Sequence, residues 1–144
     1  MHNTFSIENK TIIITGGGRG IGYYLGTELS KQGAIVYALS RTLPKNSKNN
    51  TNLNFIKCDI TNKKKFQLIC KNIIKENSKI DVLINNAGIT SSSKSEVYAE
   101  KDWLKTIETN LTSSFNCSQI VLPYMKKQKS GSIINVTSIN SKLA

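Results

Sequence analysis

Apolar and polar positions follow two different patterns along this chain. Residues 11–15 are a β-branched run, and residues 34–40 are a second apolar run, as expected of buried strands. Residues 21–32 between them read as a helix that ends before Gly33, because glycine readily adopts the left-handed backbone that follows a helix. The order strand, helix, strand predicts a βαβ unit.

The clearest helical pattern lies between residues 62 and 77. Its apolar side chains recur at i, i+3, i+4, i+7 and i+8 and are Phe66, Ile69, Cys70, Ile73 and Ile74. Such a stripe is typical of a helix packed against a core, with Thr61 as its predicted N-cap. A second long helix is predicted at residues 103–127, with Asp102 as its N-cap and Pro123 as a residue that bends or ends it.

Further apolar runs predict strands at residues 53–57, 82–85 and 133–137, and polar, turn-rich segments predict loops at residues 42–52 and 91–95. Strands that alternate with helices imply a parallel sheet covered on both faces. The predicted fold class is therefore α/β, a Rossmann-like, doubly wound, three-layer αβα arrangement of five strands in the order 3-2-1-4-5. With 144 residues, 38% of them hydrophobic, the chain is expected to form one domain over residues 1–144.

Charge and composition exclude several classes of function. The net charge of +11 comes largely from dispersed lysines without interleaved aromatic residues, which favours a solvated basic surface over a nucleic-acid partner. His2 is the only histidine, which argues against a histidine base, and three irregularly spaced cysteines indicate reduced thiols rather than a metal site. Without a long apolar run or a leader pattern, we expect no membrane partner and a cytoplasmic location.

Polar residues follow each predicted strand, at the edge of a parallel sheet where ligands usually bind. The five strand ends read TGGGRGIG, SR, CD, NNAG and TS. In the first of these segments, Gly16, Gly20 and Gly22 join a strand to a helix. Glycines in that position allow a tight turn and a close approach of a pyrophosphate to the helix N-terminus. The pattern therefore predicts a nucleotide site.

Taken together, these motifs resemble the short-chain dehydrogenase/reductase family over nearly the whole chain. TGGGRGIG looks like its cofactor motif, Asp59 like the acid that contacts the adenine, and NNAG (residues 85–88) like its sheet-stabilising motif. The resemblance implies a cofactor site formed by Gly16, Gly18, Arg19, Gly20, Ile21, Gly22, Ser40, Arg41, Asp59, Ile60, Asn86, Ala87 and Gly88.

The same resemblance implies hydride transfer between a nicotinamide and a small-molecule carbonyl or alcohol. Ser138 looks like the family's catalytic serine and Asn110 like its structural and catalytic asparagine. The family's proton donor is a tyrosine with a lysine four residues later, a pair that normally follows the serine and that is absent from these 144 residues. We therefore expect a truncated, inactive N-terminal portion of an enzyme whose full-length form is a homo-oligomer.

The expected cofactor is NADP(H) rather than NAD. About 20 residues beyond the glycines, where NAD enzymes place an acidic residue, the chain has Ser40 and Arg41. Arg19 and Arg41 are its only arginines, and a guanidinium suits a 2′-phosphate. A non-catalytic nucleotide-binding module remains the alternative function, because such a module would keep the cofactor site without the reaction.

Overall fold

The structure, a computed structural model, describes residues 6–45, 52–90 and 94–138. Its sheet has five parallel strands in the order β3-β2-β1-β4-β5, which confirms the predicted fold class and strand order. The strands are β1 (Thr11–Thr15), β2 (Ile35–Ser40), β3 (Leu53–Lys57), β4 (Val82–Asn85) and β5 (Ser132–Asn135). The predictions for His2 and for residues 46–51 and 91–93 lie outside the described residues.

Helices cover both faces of this sheet. They are α1 (Gly20–Lys31), α2 (Lys63–Asn77), α3 (Glu100–Ile107) and α4 (Ser113–Gln128), with a single π-helical turn, Glu108–Thr112, between the last two. A short 3-10 turn, Ser95–Val97, begins at the last residue of the second predicted loop. None of the described helices is both long and apolar enough to cross a lipid bilayer.

The sheet separates two apolar layers, as the unbroken apolar runs of its central strands predict. On one face, α1 packs through Leu25 and Leu29 over Ile14 and Val36. On the other face, α2 and α4 enclose the larger layer, in which the side chain of Phe66 is fully buried. The buried strands hold the helix N-termini and the loops at the carboxyl edge of the sheet in fixed positions.

The first helix, predicted at residues 21–32, begins and ends one residue earlier, and α2 begins one residue later than predicted. Gly33 follows α1 with a φ of +87°, as predicted. The N-cap of α2 is Asn62, whose Oδ1 accepts a 2.9 Å hydrogen bond from the backbone N–H of Lys65. The predicted N-cap, Thr61, does not cap the helix; its N–H and hydroxyl both donate to Oδ1 of Asp59.

The second predicted long helix is three elements rather than one. It begins at Glu100, so Asp102 lies in its first turn and is not the N-cap, and its N–H already donates to the carbonyl of Ala99. Pro123 lies within α4 and does not end it. Because Pro123 is exposed, the helical carbonyl that lacks a donor there can be hydrated.

The last strand is shorter than predicted. β5 ends at Asn135, and Thr137 and Ser138 lie beyond it, although the N–H of Val136 still donates to the carbonyl of Asn85. β2 likewise begins at Ile35, one residue later than predicted.

Candidate functional site

A cleft of about 320 Å³ opens at the carboxyl ends of strands β1 to β4. All of the predicted cofactor residues except Gly18 and Gly22 line it. Four further residues that the sequence did not predict also line this cleft: Leu39, Cys58, Ile89 and Thr109. Each of the four directly adjoins a predicted site residue in the chain, so proximity in sequence was the available signal. The topology therefore brings five separate segments into one site, four of them at strand ends and the fifth in the π-helical turn.

The turn between β1 and α1 leaves open space at its centre. Gly20 has a φ of +54°, and a Cβ atom built there would have no heavy atom within 4 Å. Gly18 and Gly22 instead serve close packing: a Cβ on Gly18 would lie 2.5 Å from Oγ of Ser40, and one on Gly22 would lie 2.5 Å from the carbonyl oxygen of Gly16. These glycines let the N-terminus of α1 approach the ends of β2 and β4.

The N-terminus of α1 has the properties of an anion site. Its N-cap, Arg19, makes no side-chain capping hydrogen bond, and its first turn contains no acidic residue. The first backbone N–H groups of a helix lack intrahelical partners and carry a partial positive charge. A phosphate group can accept hydrogen bonds from them. The open turn and this helix end together fit a dinucleotide pyrophosphate.

Thr15 joins the glycine turn to the segment after β4. Its Oγ1 accepts hydrogen bonds from the backbone N–H groups of Asn86 and Ala87, both at 3.0 Å. The Nδ2 of Asn86 in turn donates to the carbonyl oxygens of Thr15, at 3.0 Å, and Gly16, at 3.3 Å. Thr15 is buried and does not line the cleft, so it positions the residues that do.

The two neighbouring asparagines of the NNAG segment face different parts of the molecule. Asn86 lines the cleft, whereas Asn85 points toward α4 and β5. Its Nδ2 donates to Oδ1 of Asn135 at 2.9 Å and to Oγ of Ser118 at 3.1 Å. Successive side chains at a strand end alternate between faces, which explains the difference. Asn85 therefore links the sheet edge to a helix.

The two predicted catalytic residues lie outside the lining of the cleft. Asn110 sits in the π-helical turn and exchanges two hydrogen bonds of 2.9 Å with the backbone N–H and carbonyl of Ile89. It thereby holds the segment that follows Gly88. Ser138 is exposed and lies three residues beyond the end of β5. The structure brings neither side chain into the cleft.

The charges around the cleft are unevenly distributed. Arg19 and Arg41 line the cleft, and Asp59 is the only carboxylate among the lining residues. One oxygen of that carboxylate accepts both hydrogen bonds from Thr61. Within the described ranges, no group of three His, Cys, Asp or Glu side chains could hold a metal ion.

The buried thiols have no chemistry in this site. Cys58, Cys70 and Cys117 are free and buried. Burial raises the pKa of Cys58, and it raises the pKa values of Cys70 and Cys117 to about 12. A protonated thiol is a poor nucleophile, so Cys58 contributes an apolar wall to the cleft.

A model of the short chain dehydrogenase family matches residues 10–144. The chain belongs to this family. Among curated relatives, it is 37% identical over 133 residues to 3-ketodihydrosphingosine reductase of Bacteroides thetaiotaomicron, covering 92% of the chain and 48% of the relative. It is 34% identical over 139 residues to 3-oxoacyl-[acyl-carrier-protein] reductase FabG of Staphylococcus epidermidis, covering 91% of the chain and 57% of the relative. The chain thus spans about half the length of these family members.

Solved structures of family members carry either nicotinamide cofactor. ElxO with bound NADP superposes with a TM-score of 0.85 at 32% identity, covering 93% of this chain and 57% of that protein. A short chain dehydrogenase from Leptospira borgpetersenii with bound NAD⁺ superposes with a TM-score of 0.87 at 29% identity, covering 93% of this chain and 53% of that protein. The family resemblance read from the motifs is confirmed, and it leaves the choice between the two cofactors open.

Proposed function

We propose that this chain forms the NADP(H)-binding part of an oxidoreductase that acts on a small-molecule carbonyl or alcohol. The observation that carries the proposal is the cleft itself, where the open turn before α1 lies beside two arginines and the serine that ends β2. When bound, the nicotinamide would supply the hydride or accept it. The two relatives are named as reductases of keto and oxo groups, which supports the carbonyl class of substrate.

Each segment of the cleft would hold a different part of the cofactor. The first N–H groups of α1, with Gly16, Gly20 and Ile21, would bind the pyrophosphate. Ser40, Arg41 and Arg19 would bind the adenosine ribose and its 2′-phosphate, because guanidinium groups pair well with phosphate and a carboxylate is absent at that strand end. Asp59 and Ile60 would contact the adenine, and residues 86–88 the nicotinamide half.

In the complete reaction, Ser138 would hydrogen-bond the substrate oxygen and Asn110 would keep the neighbouring backbone in position. A proton must also reach or leave that oxygen. None of the five tyrosines in these 144 residues is followed by lysine four positions later. A phenol with an ordinary pKa of ~10 needs such a cation to exchange protons near neutral pH. Residues 1–144 by themselves would therefore bind the cofactor without turnover.

A nucleotide-binding module without catalysis is the second candidate function, because such a module would use the same cleft. The two readings share the cofactor site and differ in whether proton transfer can be restored. Under the first reading, the full-length enzyme would be a cytoplasmic homo-oligomer with a small-molecule substrate and no membrane or nucleic-acid partner. Under the second reading, no added segment that supplies a tyrosine and a lysine would produce turnover.

Titration of the chain with NADPH and NADH tests the proposed cofactor. NADPH is expected to bind at least tenfold more tightly, and Arg41→Asp is expected to remove most of that difference, since a carboxylate would repel the 2′-phosphate. Lys75→Asp on α2 is the matched control for the change in charge. Equal affinities for the two cofactors in the unaltered chain would contradict the preference for NADP(H).

Assays of NADPH oxidation with a panel of ketones test the catalytic part of the proposal. The folded 144-residue chain should bind NADPH and show no turnover above background. Rapid turnover by this chain would mean that a different acid–base group operates. Turnover that appears only with an added tyrosine- and lysine-bearing segment would favour the enzyme over the module.

A further inference from the structure

Lys57 is the last residue of β3, and its backbone position is fixed by the sheet. Its Cα partner in the parallel pairing of β2 with β3 is Ser40, the residue that lines the cleft at the end of β2. Directly paired residues of neighbouring strands project from the same face of a sheet. Lys57 therefore projects from the same face as Ser40.

That face is the one that α1 covers. Phe55, two residues before Lys57, stacks on Tyr23 of α1 with ring centroids 5.8 Å apart. Ser40 also faces the turn that leads into α1, because its Oγ occupies the space beside Gly18. Lys57 is exposed at the end of this face, beyond the stacked rings and at the carboxyl edge of the sheet.

The lysine side chain is long enough to act at the end of β2. Neighbouring strands lie about 4.8 Å apart. A lysine stem of four methylene groups can span that distance and carries its ammonium group on rotatable bonds. An anion held over Ser40 would thus be within reach of the Lys57 ammonium, from the side opposite the glycine turn.

No ion pair competes for this ammonium group within the described ranges. The salt bridges there join Lys10 and Lys79 to Asp81, and Lys31 to Glu28. The nearest acidic residue in sequence, Asp59, directs one oxygen of its carboxylate to Thr61. Arg19 and Arg41 line the cleft, and Lys57 lies just outside its lining, next to Ser40 in the paired strand. An anion held over Ser40 would therefore have a third cation within reach.

We infer that Lys57 is a specificity-determining residue that binds the 2′-phosphate of NADP(H) together with Arg19 and Arg41. The inference rests on the proposed function, since it refines how the same site distinguishes NADP(H) from NAD(H). Arg19 and Arg41 follow the strands β1 and β2, whereas Lys57 ends β3. Lys57 reaches this site only because of the register in which β3 pairs with β2.

Equilibrium binding of four ligands to the 144-residue chain and its variants tests the inference. The ligands are NADPH, NADH, 2′,5′-ADP and 5′-AMP, and folding of each variant is checked by circular dichroism. Lys57→Gln should weaken binding of NADPH and of 2′,5′-ADP about threefold to fivefold, as expected of a partly exposed charge contact, and leave NADH and 5′-AMP unchanged. Lys57→Arg should retain the affinity for both 2′-phosphate ligands.

Lys75→Gln is the matched control, because Lys75 is exposed and lies in the last turn of α2, toward the opposite edge of the sheet. Equal NADPH affinities for Lys57→Gln and Lys75→Gln would overturn the inference while the proposed cofactor preference stands. An equal loss for NADPH and NADH would overturn it as well, because that result indicates a general effect on the site. If the unaltered chain binds NADPH no more tightly than NADH, the proposed preference for NADP(H) is contradicted, and the inference that rests on it is overturned as well.

Discussion

At the residue level, one side chain that does not line the cleft, Thr15, positions residues that do. The hydroxyl of Thr15 is the shared acceptor for two backbone N–H groups of the segment after β4. Through these bonds the end of β1 fixes the positions of Asn86 and Ala87, which do line the cleft. The first residue of the glycine motif therefore helps to set the geometry of the cleft without contacting it.

We expect Thr15→Val to destabilise the fold by about 2 kcal/mol or more, because it preserves the shape of the side chain and leaves two N–H groups without their acceptor. Thr15→Ser keeps the acceptor and should cost less. Urea unfolding gives the free energies of unfolding for both variants. Similar values for the valine and serine variants would show that the hydroxyl does not hold the two strands together.

At the level of secondary-structure elements, the single helix predicted at residues 103–127 is divided into α3, a π-helical turn and α4. A π turn places an extra residue in the helix, and here Asn110 in that turn reaches the backbone of Ile89 with both amide atoms. Sequence spacing cannot reveal such a turn, because its formation depends on a partner 21 residues away. The helix itself was predictable, but its irregularity was not.

The strand β5 is the exposed element of the sheet. It pairs with β4 on one side, and the described residues place no strand on its other side. Ile134 in β5 is 48% exposed, Val136 just after the strand is 40% exposed, and the strand carries no charge. An apolar, uncharged edge strand can pair with another chain, so we expect the 144-residue chain to self-associate.

Ile134→Lys should shift the chain from aggregates toward monomer, because a charge on an edge strand opposes pairing with a second copy. Sedimentation velocity at matched concentrations measures the monomer fraction. Leu68→Lys is the control, since Leu68 is a similarly exposed apolar side chain on α2 and the substitution adds the same charge. If both lysine variants gain monomer equally, net charge rather than the edge of β5 governs association.

At the scale of the whole molecule, the buried thiols couple stability to alkaline pH. In the folded chain, burial raises the pKa values of Cys70 and Cys117 from 9.0 to about 12. Between these values the unfolded chain releases thiol protons that the folded chain keeps. The thiol contribution to stability is therefore fully present below about pH 9 and is lost as the pH rises toward 12.

We expect each of these two thiols to steepen the fall in unfolding free energy by about 1.4 kcal/mol per pH unit in that window. The double variant Cys70→Ala, Cys117→Ala should lose this part of the slope. Urea unfolding at about pH 8 and at about pH 10 compares the two proteins. Parallel pH profiles for the two proteins would mean that the thiols ionise normally in the fold.

The amino-acid sequence was sufficient to predict the order of strands and helices, the strand order of the sheet and most of the residues that line the cleft. These features follow from local physics: β-branched runs form buried strands, and glycines between a strand and a helix form a turn that opens at the helix N-terminus. Because parallel strands end at one edge, the motifs after them could be expected to converge.

Tertiary packing sets which side of the sheet each polar residue faces and which distant residue it contacts. Asn85 and Asn86 are adjacent, but one binds β5 and α4 and the other the glycine turn. Lys57 acquires its place beside Ser40 through a strand register, which depends on how whole strands pair. Such partners lie far apart in sequence, so the packing of the complete sheet selects them rather than any local preference.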